Sequence, residues 1–128
     1  MGQRFLIDTN VIIDYTSGKF DNDAAIFAEN IFNTDFNISV VVKIEALGYS
    51  GPLSEMELLT DFINTANVFP LDDIVTKKTI ELRKNNKLKL GDAIIAATAI
   101  MQDLTLLTRN ISDFKNIADI RVIDPYSM

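Results

Sequence analysis

The sequence predicts an α/β protein: a three-layer sandwich with a central, mostly parallel sheet and helices on both faces. Three observations carry this. Short apolar or β-branched runs alternate with amphipathic stretches along the whole chain, the pattern of parallel strands joined by helical crossovers. The segment Leu90 to Asp103 is apolar nearly all round, as a central buried helix is. Hydrophobic residues make up 48% of the 128, ample for the core of one domain spanning 1–128.

The elements follow in order. Phe5-Leu6-Ile7 reads as a buried strand that stops at Asp8. A helix begins over Asn10 to Tyr15. Ala24, Phe27, Ala28 and Ile31 fall at i, i+3, i+4 and i+7, an amphipathic helix. Ile38 to Val42 is β-branched and reads as a second strand running into a helix over Lys43 to Tyr49. Gly51-Pro52 marks a turn. Ser54-Glu55-Met56-Glu57 has the pattern of a capping box, with Leu59, Phe62, Ile63 and Ala66 on one face of the helix it opens. Val68 to Leu71 is a short strand or edge segment. Asp72 or Asp73 caps a helix running to about Asn85. After the apolar helix, Leu104 to Thr108 is a strand, Asp113-Phe114 lies on a turn or short helix, and Arg121-Val122-Ile123 is a last strand.

Composition narrows the chemistry. There is no cysteine and no histidine, which excludes disulfides, thiolate or imidazole metal sites, and Ser-His-Asp triads. Catalysis would rest on carboxylates, hydroxyls, amides, Lys or Arg. The net charge is −6, whereas a generic nucleic-acid binder is basic. A polyanion must therefore be held locally or through cations. Residues 1–70 carry ten acids against three bases, and residues 71–128 eight against nine. Six of the 12 basic residues fall between Lys77 and Lys89. No apolar run is long enough to cross a membrane. Met1-Gly2-Gln3-Arg4 lacks the small-residue cleavage site of a signal peptide, so a cytoplasmic location is expected.

In an open parallel sheet the ligand site lies beyond the carboxyl ends of the strands, which singles out four acids. Asp8 ends the first strand, although it is equally a helix cap. Glu45 shares a helix face with Val41, Val42, Gly48 and Tyr49. A carboxylate in such a stripe needs a cation, a hydrogen-bonding partner or an edge position. Asp92 opens the apolar helix, where an acid also complements the helix dipole. Asp113 follows a strand end and is also a possible cap. Gathered in one pocket, the four would repel and raise one another's pKa. A hard divalent cation relieves that, and oxygen-only ligands select Mg²⁺ or Mn²⁺. Such a cation activates water and stabilises charge on a phosphate, which gives phosphodiester hydrolysis without histidine.

At these residues the sequence resembles a PIN domain, specifically a VapC-type toxin ribonuclease of a type II toxin–antitoxin pair. Four stretches carry the resemblance: Leu6 to Asp14 (LIDTNVIID), Ile44 to Tyr49 (IEALGY), Leu90 to Ala99 (LGDAIIAATA) and Leu107 to Phe114 (LTRNISDF). Their order, their spacing and the total length all fit, so the resemblance covers essentially the whole chain. The resemblance implies a PIN-like sandwich and a Mg²⁺- or Mn²⁺-dependent endoribonuclease. It implies Asp8 and Asp92 as principal metal ligands, with Glu45 completing the pocket directly or through water. Asp113 matches the family's fourth and most variable acid, with Asn110 the substitute if Asp113 points away. Thr9, Asn10 and Thr108 are supporting residues. Lys84, Lys87, Lys89 and Arg109 are the expected RNA contacts, whereas Lys77 and Lys78 read as a solvated face. Such toxins usually form homodimers and are silenced by an antitoxin whose C-terminal segment fills the acidic groove. Gly91 departs from the pattern, since many members have Pro there.

Three other readings stand beside this one. A phosphoacceptor receiver domain has a similar size and sheet, but it needs paired acids after the first strand and an aspartate after a central one; neither is present. A non-catalytic RNA- or partner-binding module leaves the four acids unexplained. An RNA-processing PIN nuclease that is not a toxin differs in its genetic neighbour, a small antitoxin gene being the discriminating sign.

Overall fold

The computed structural model describes residues 3–127; the N-terminal reading of Met1 and Gly2 lies outside them. Among the described residues, five strands form one parallel sheet in the order β3-β2-β1-β4-β5. β1 is Phe5–Ile7, β2 Asn37–Ser39, β3 Asn67–Phe69, β4 Thr105–Leu107 and β5 Val122–Ile123. The helices are α1 Thr9–Thr16, α2 Asn22–Thr34, α3 Val40–Leu47, α4 Leu53–Ile63, α5 Asp73–Asn85, α6 Leu90–Met101 and α7 Ile111–Phe114. A 3₁₀ turn, Pro125–Ser127, follows β5. The chain moves outward from β1 to β3 and then returns to β4 on the other side of β1. Right-handed crossovers therefore lay the earlier and later connections over opposite faces. The order reverses between β1 and β4, which makes their carboxyl ends the switch point where such sheets bind ligands.

Two expectations are corrected. The second strand is not Ile38–Val42 but Asn37–Ser39, and Val40 to Val42 open α3. Ser39 decides this. Its hydroxyl accepts from the Val41 N–H and caps the helix, so the β propensity of the three valines gives way to capping and burial. The capping box at Ser54–Glu57 does not form. The helix starts one residue before Ser54, with Pro52 at the cap and no side-chain cap bond; Pro52 has the fixed φ that suits a helix entrance. Asp72, by contrast, caps α5 through the Val75 N–H at 2.9 Å.

Packing fixes the sheet. Leu6, Ile7, Ile38, Leu106 and Leu107 are fully buried. Ala93 to Ala99 of α6 are buried at every position, as an all-round apolar helix requires. Small alanines let this helix lie close to its neighbours. An aromatic cluster joins α1, α2, α4 and the approach to β2: Tyr15, Phe36 and Phe62 surround Phe32, with ring centroids 4.7–4.9 Å from it. Each such pair adds about 0.5–1.5 kcal/mol beyond its buried area. Register is set partly by amides. Asn37, fully buried, donates from Nδ2 to the Phe5 carbonyl at 3.0 Å and accepts at Oδ1 from Asn67 Nδ2 at 3.1 Å.

Candidate metal and nucleic-acid site

Asp8 emerges from β1 at the switch point and caps α1. It is buried (6% exposed), a costly place for a carboxylate without partners. Three donors meet that cost. Oδ1 accepts from the Thr9 N–H at 2.8 Å, and Oδ2 from Thr108 Oγ1 at 2.7 Å and Asn10 Nδ2 at 3.2 Å. Burial still pushes the Asp8 pKa up; the three hydrogen bonds oppose this and the charge of Asp113 adds to it. The cap role and the place at the strand end belong to the same side chain.

Thr108 follows β4 and is fully buried. Its oxygen also accepts from Asn10 Nδ2 at 3.2 Å and from the Asn110 N–H at 3.1 Å. Asn10 in turn accepts the Arg109 N–H at 3.0 Å. The loop after β4 is thereby fastened to the start of α1.

Glu45, on α3, is exposed at the cleft's edge, and its Oε1 accepts from Thr9 Oγ1 at 2.8 Å. The apolar stripe expected around it is buried only at its N-terminal end: Val42 is fully buried, whereas Tyr49 is 63% exposed. Asp92, in the first turn of α6, is half-buried. Its pKa is raised first by burial and then by the charges of Asp8, Asp113 and Glu45; Lys89 opposes them. Three acids, from the end of β1, from α3 and from α7, thus act on the Asp92 carboxyl group.

The residues fall into two clefts that meet at Asp92. One, of about 410 Å³, includes Asp8, Thr9, Asn10, Glu45, Asp92 and Asn110. The other, of about 470 Å³, includes Asp92, Asp113, Lys87, Lys89, Ser112 and Asn116. Asn110 therefore faces the first cleft and Asp113 the second. Lys84 lines neither. Arg109 lines the first, with Nη1 on Asp14 at 2.6 Å. Sequence reasoning passed over Asp14, Lys19 and Tyr126. Asp14 had a signal, an acid inside the apolar run Val11-Ile12-Ile13-Asp14-Tyr15; the other two had none.

Among the described residues, no three carboxylates approach closely enough to hold one metal ion by themselves. The donor set nevertheless fits a hard cation that keeps several waters and takes one or two carboxylates directly. It is all oxygen, and hydrogen bonds occupy only part of the Asp8 lone-pair capacity.

Fold and site together define a doubly wound α/β domain with an acidic, oxygen-lined cleft at the switch point of its sheet. The chain belongs to the PIN-domain family, whose model matches residues 5–120. Its structure is similar to a toxin–antitoxin complex from Klebsiella pneumoniae, with 31% identity over 94% of this chain and 97% of that one (TM-score 0.78). DNA-bound VapBC from Salmonella typhimurium shares the fold at 24% identity, over 97% of this chain and 99% of that one (TM-score 0.80). FitAcB from Neisseria gonorrhoeae does so at 22% identity, over 97% and 99% (TM-score 0.77). No curated protein matches the chain. No helix among the described residues is long and apolar enough to cross a membrane.

Proposed function

We propose that this single PIN-like domain is a Mg²⁺- or Mn²⁺-dependent endoribonuclease and the toxin of a toxin–antitoxin pair. The observation that carries this reading is the pair of adjoining clefts at the switch point, one lined by Asp8, Glu45 and Asp92 and the other by Asp92 and Asp113. Like charges gathered without a cation are destabilising; bound divalent metal would relieve them, activate water and stabilise charge on a phosphate. Asp8 and Asp92 would hold the metal, and Glu45 would reach it directly or through water. Thr108, Thr9 and Asn10 fix the Asp8 oxygens in place. Thr9 also steadies Glu45, which could orient the attacking water. Asp113 and Asn110 supply oxygen on opposite sides of Asp92.

RNA would reach the metal along the second cleft, where Lys87 and Lys89 stand next to Asp92. The likeness to toxin–antitoxin complexes supports a cognate antitoxin and a cytoplasmic setting. Exposed Ile44, Tyr49, Leu53 and Leu58 on and between α3 and α4 support a protein interface, including a homodimer. Cleavage of a mixed RNA pool in EDTA, Mg²⁺ and Mn²⁺, comparing wild type with Asp92→Asn, tests the reading. Metal-dependent cutting lost in the variant is the expected result. A folded wild type that neither binds metal nor cuts RNA overturns it.

A further inference from the structure

Of the ion pairs among the described residues, only Asp14 with Arg109 has a fully buried member; the Asp14 side chain is 4% exposed. Removing a carboxylate from water this thoroughly is costly unless it is paired. Two donors converge on one of its oxygens: Arg109 Nη1 at 2.6 Å and the Tyr126 hydroxyl. Tyr126 comes from the C-terminal 3₁₀ turn and is braced by Phe20, ring centroids 4.7 Å apart.

The arrangement holds Arg109 at both ends. Its main-chain N–H is fixed to Asn10, which also reaches Asp8 Oδ2. Its guanidinium is fixed to Asp14, yet the side chain stays 49% exposed. One nitrogen is committed inward, and the rest of the planar fork stands at the rim of the cleft that holds Asp8 and Asp92. A pre-aimed guanidinium with a free edge matches the oxygens of a phosphodiester. We propose that Asp14 and Tyr126 are positioning residues that aim Arg109, one of the RNA contacts expected from the sequence, at a phosphate beside the acids. The choice of RNA rests on the nuclease reading above.

Two measurements separate this proposal from that reading: anisotropy of a labelled single-stranded oligoribonucleotide in Ca²⁺, and steady-state cleavage in Mn²⁺. Arg109→Ala is expected to weaken RNA binding about tenfold or more, raising KM more than it lowers kcat. Asp14→Asn and the milder Tyr126→Phe are expected to weaken binding about threefold or more in the wild-type background. Neither should weaken it further in the Arg109→Ala background, because residues acting through one side chain are not additive. A merely structural role would leave the losses additive. Wild-type affinity in folded Arg109→Ala, additive losses, or no RNA binding by wild type would each overturn the proposal. If the wild type cuts and Arg109→Ala keeps its KM, the proposal falls and the nuclease stands. If nothing is cut but RNA binding depends on Arg109 as described, the proposal stands and the nuclease falls.

Discussion

Thr108 donates its hydroxyl proton to Asp8 Oδ2 over 2.7 Å, bridging 100 residues of sequence. The bond closes the switch point between β1 and β4 and favours the ionised form of a buried carboxyl. Thr108→Val keeps the shape and removes the donor. The Asp8 pKa should rise further, and the acid limb of the pH profile of kcat/KM should move to higher pH. The lost bond to a charged group should cost about 1.5–3 kcal/mol. Thr108→Ser should restore both. An unmoved acid limb in Thr108→Val would show that this hydroxyl does not tune Asp8.

Asp92→Asn should lower metal-dependent cleavage at least about a hundredfold. In EDTA the same variant should melt at a higher temperature than wild type, because it removes a charge that Asp8, Asp113 and Glu45 repel. Calorimetry in EDTA and in Mn²⁺ checks this; the order of the two melting temperatures should reverse once metal is present.

The pH dependence follows from the same groups. Asp8 and Asp92 both have pKa values raised above the ordinary 3.8. In the window between that value and their folded-state values, the native protein binds more protons than the unfolded chain. Stability then falls as pH rises. Metal-free protein should therefore lose stability from these two groups as pH climbs out of the mild acid range, and saturating Mn²⁺ should flatten that slope. Denaturant titrations across pH 4–7, with and without metal, measure it.

Lys87 and Lys89 line the cleft beside Asp92, whereas Lys84 does not. Replacing either of the first two by Ala should weaken RNA binding and make the salt dependence shallower by about 0.7 in log–log slope per lysine. Lys84→Ala should leave the slope unchanged. Equal effects from all three would point to a diffuse field rather than a track.

Gly91 lies in the first turn of α6, and a Cβ there would meet Val41 Cγ1 at 3.5 Å and Glu45 Oε2 at 3.9 Å. Both are ordinary contacts. Gly91→Ala should fit, stabilise the helix by about 0.5–1 kcal/mol and raise the melting temperature by a few degrees. A lower melting temperature would reveal crowding against Glu45.

Much of the fold is legible in local pattern. Phe5–Ile7, the Asp72 cap of α5 and the apolar run of α6 depend on near neighbours in sequence, and they stand where the sequence puts them. The errors lie where local rules compete. The β-branched Val40 to Val42 were drawn into α3 by the Ser39 cap and by packing. Ser54 and Glu57 match a capping pattern that Pro52 pre-empted.

The sequence alone determined that Asp8, Asp92 and Asp113 would follow a strand or open a helix, because Asp8 ends an apolar run, Asp92 begins one and Asp113 lies in the polar stretch after another. It also determined, by lacking histidine and cysteine, that any metal ligand must be oxygen. Which carboxylates feel one another, and which side of Asp92 each faces, was decided only by the order β3-β2-β1-β4-β5. The chain returns past β1 before laying down β4, and that return brings Thr108 to Asp8 and Arg109 to Asp14. No short-range periodicity records a contact across 95 or 100 residues. It exists because burying β1 between two neighbours leaves the carboxyl ends of β1 and β4 side by side.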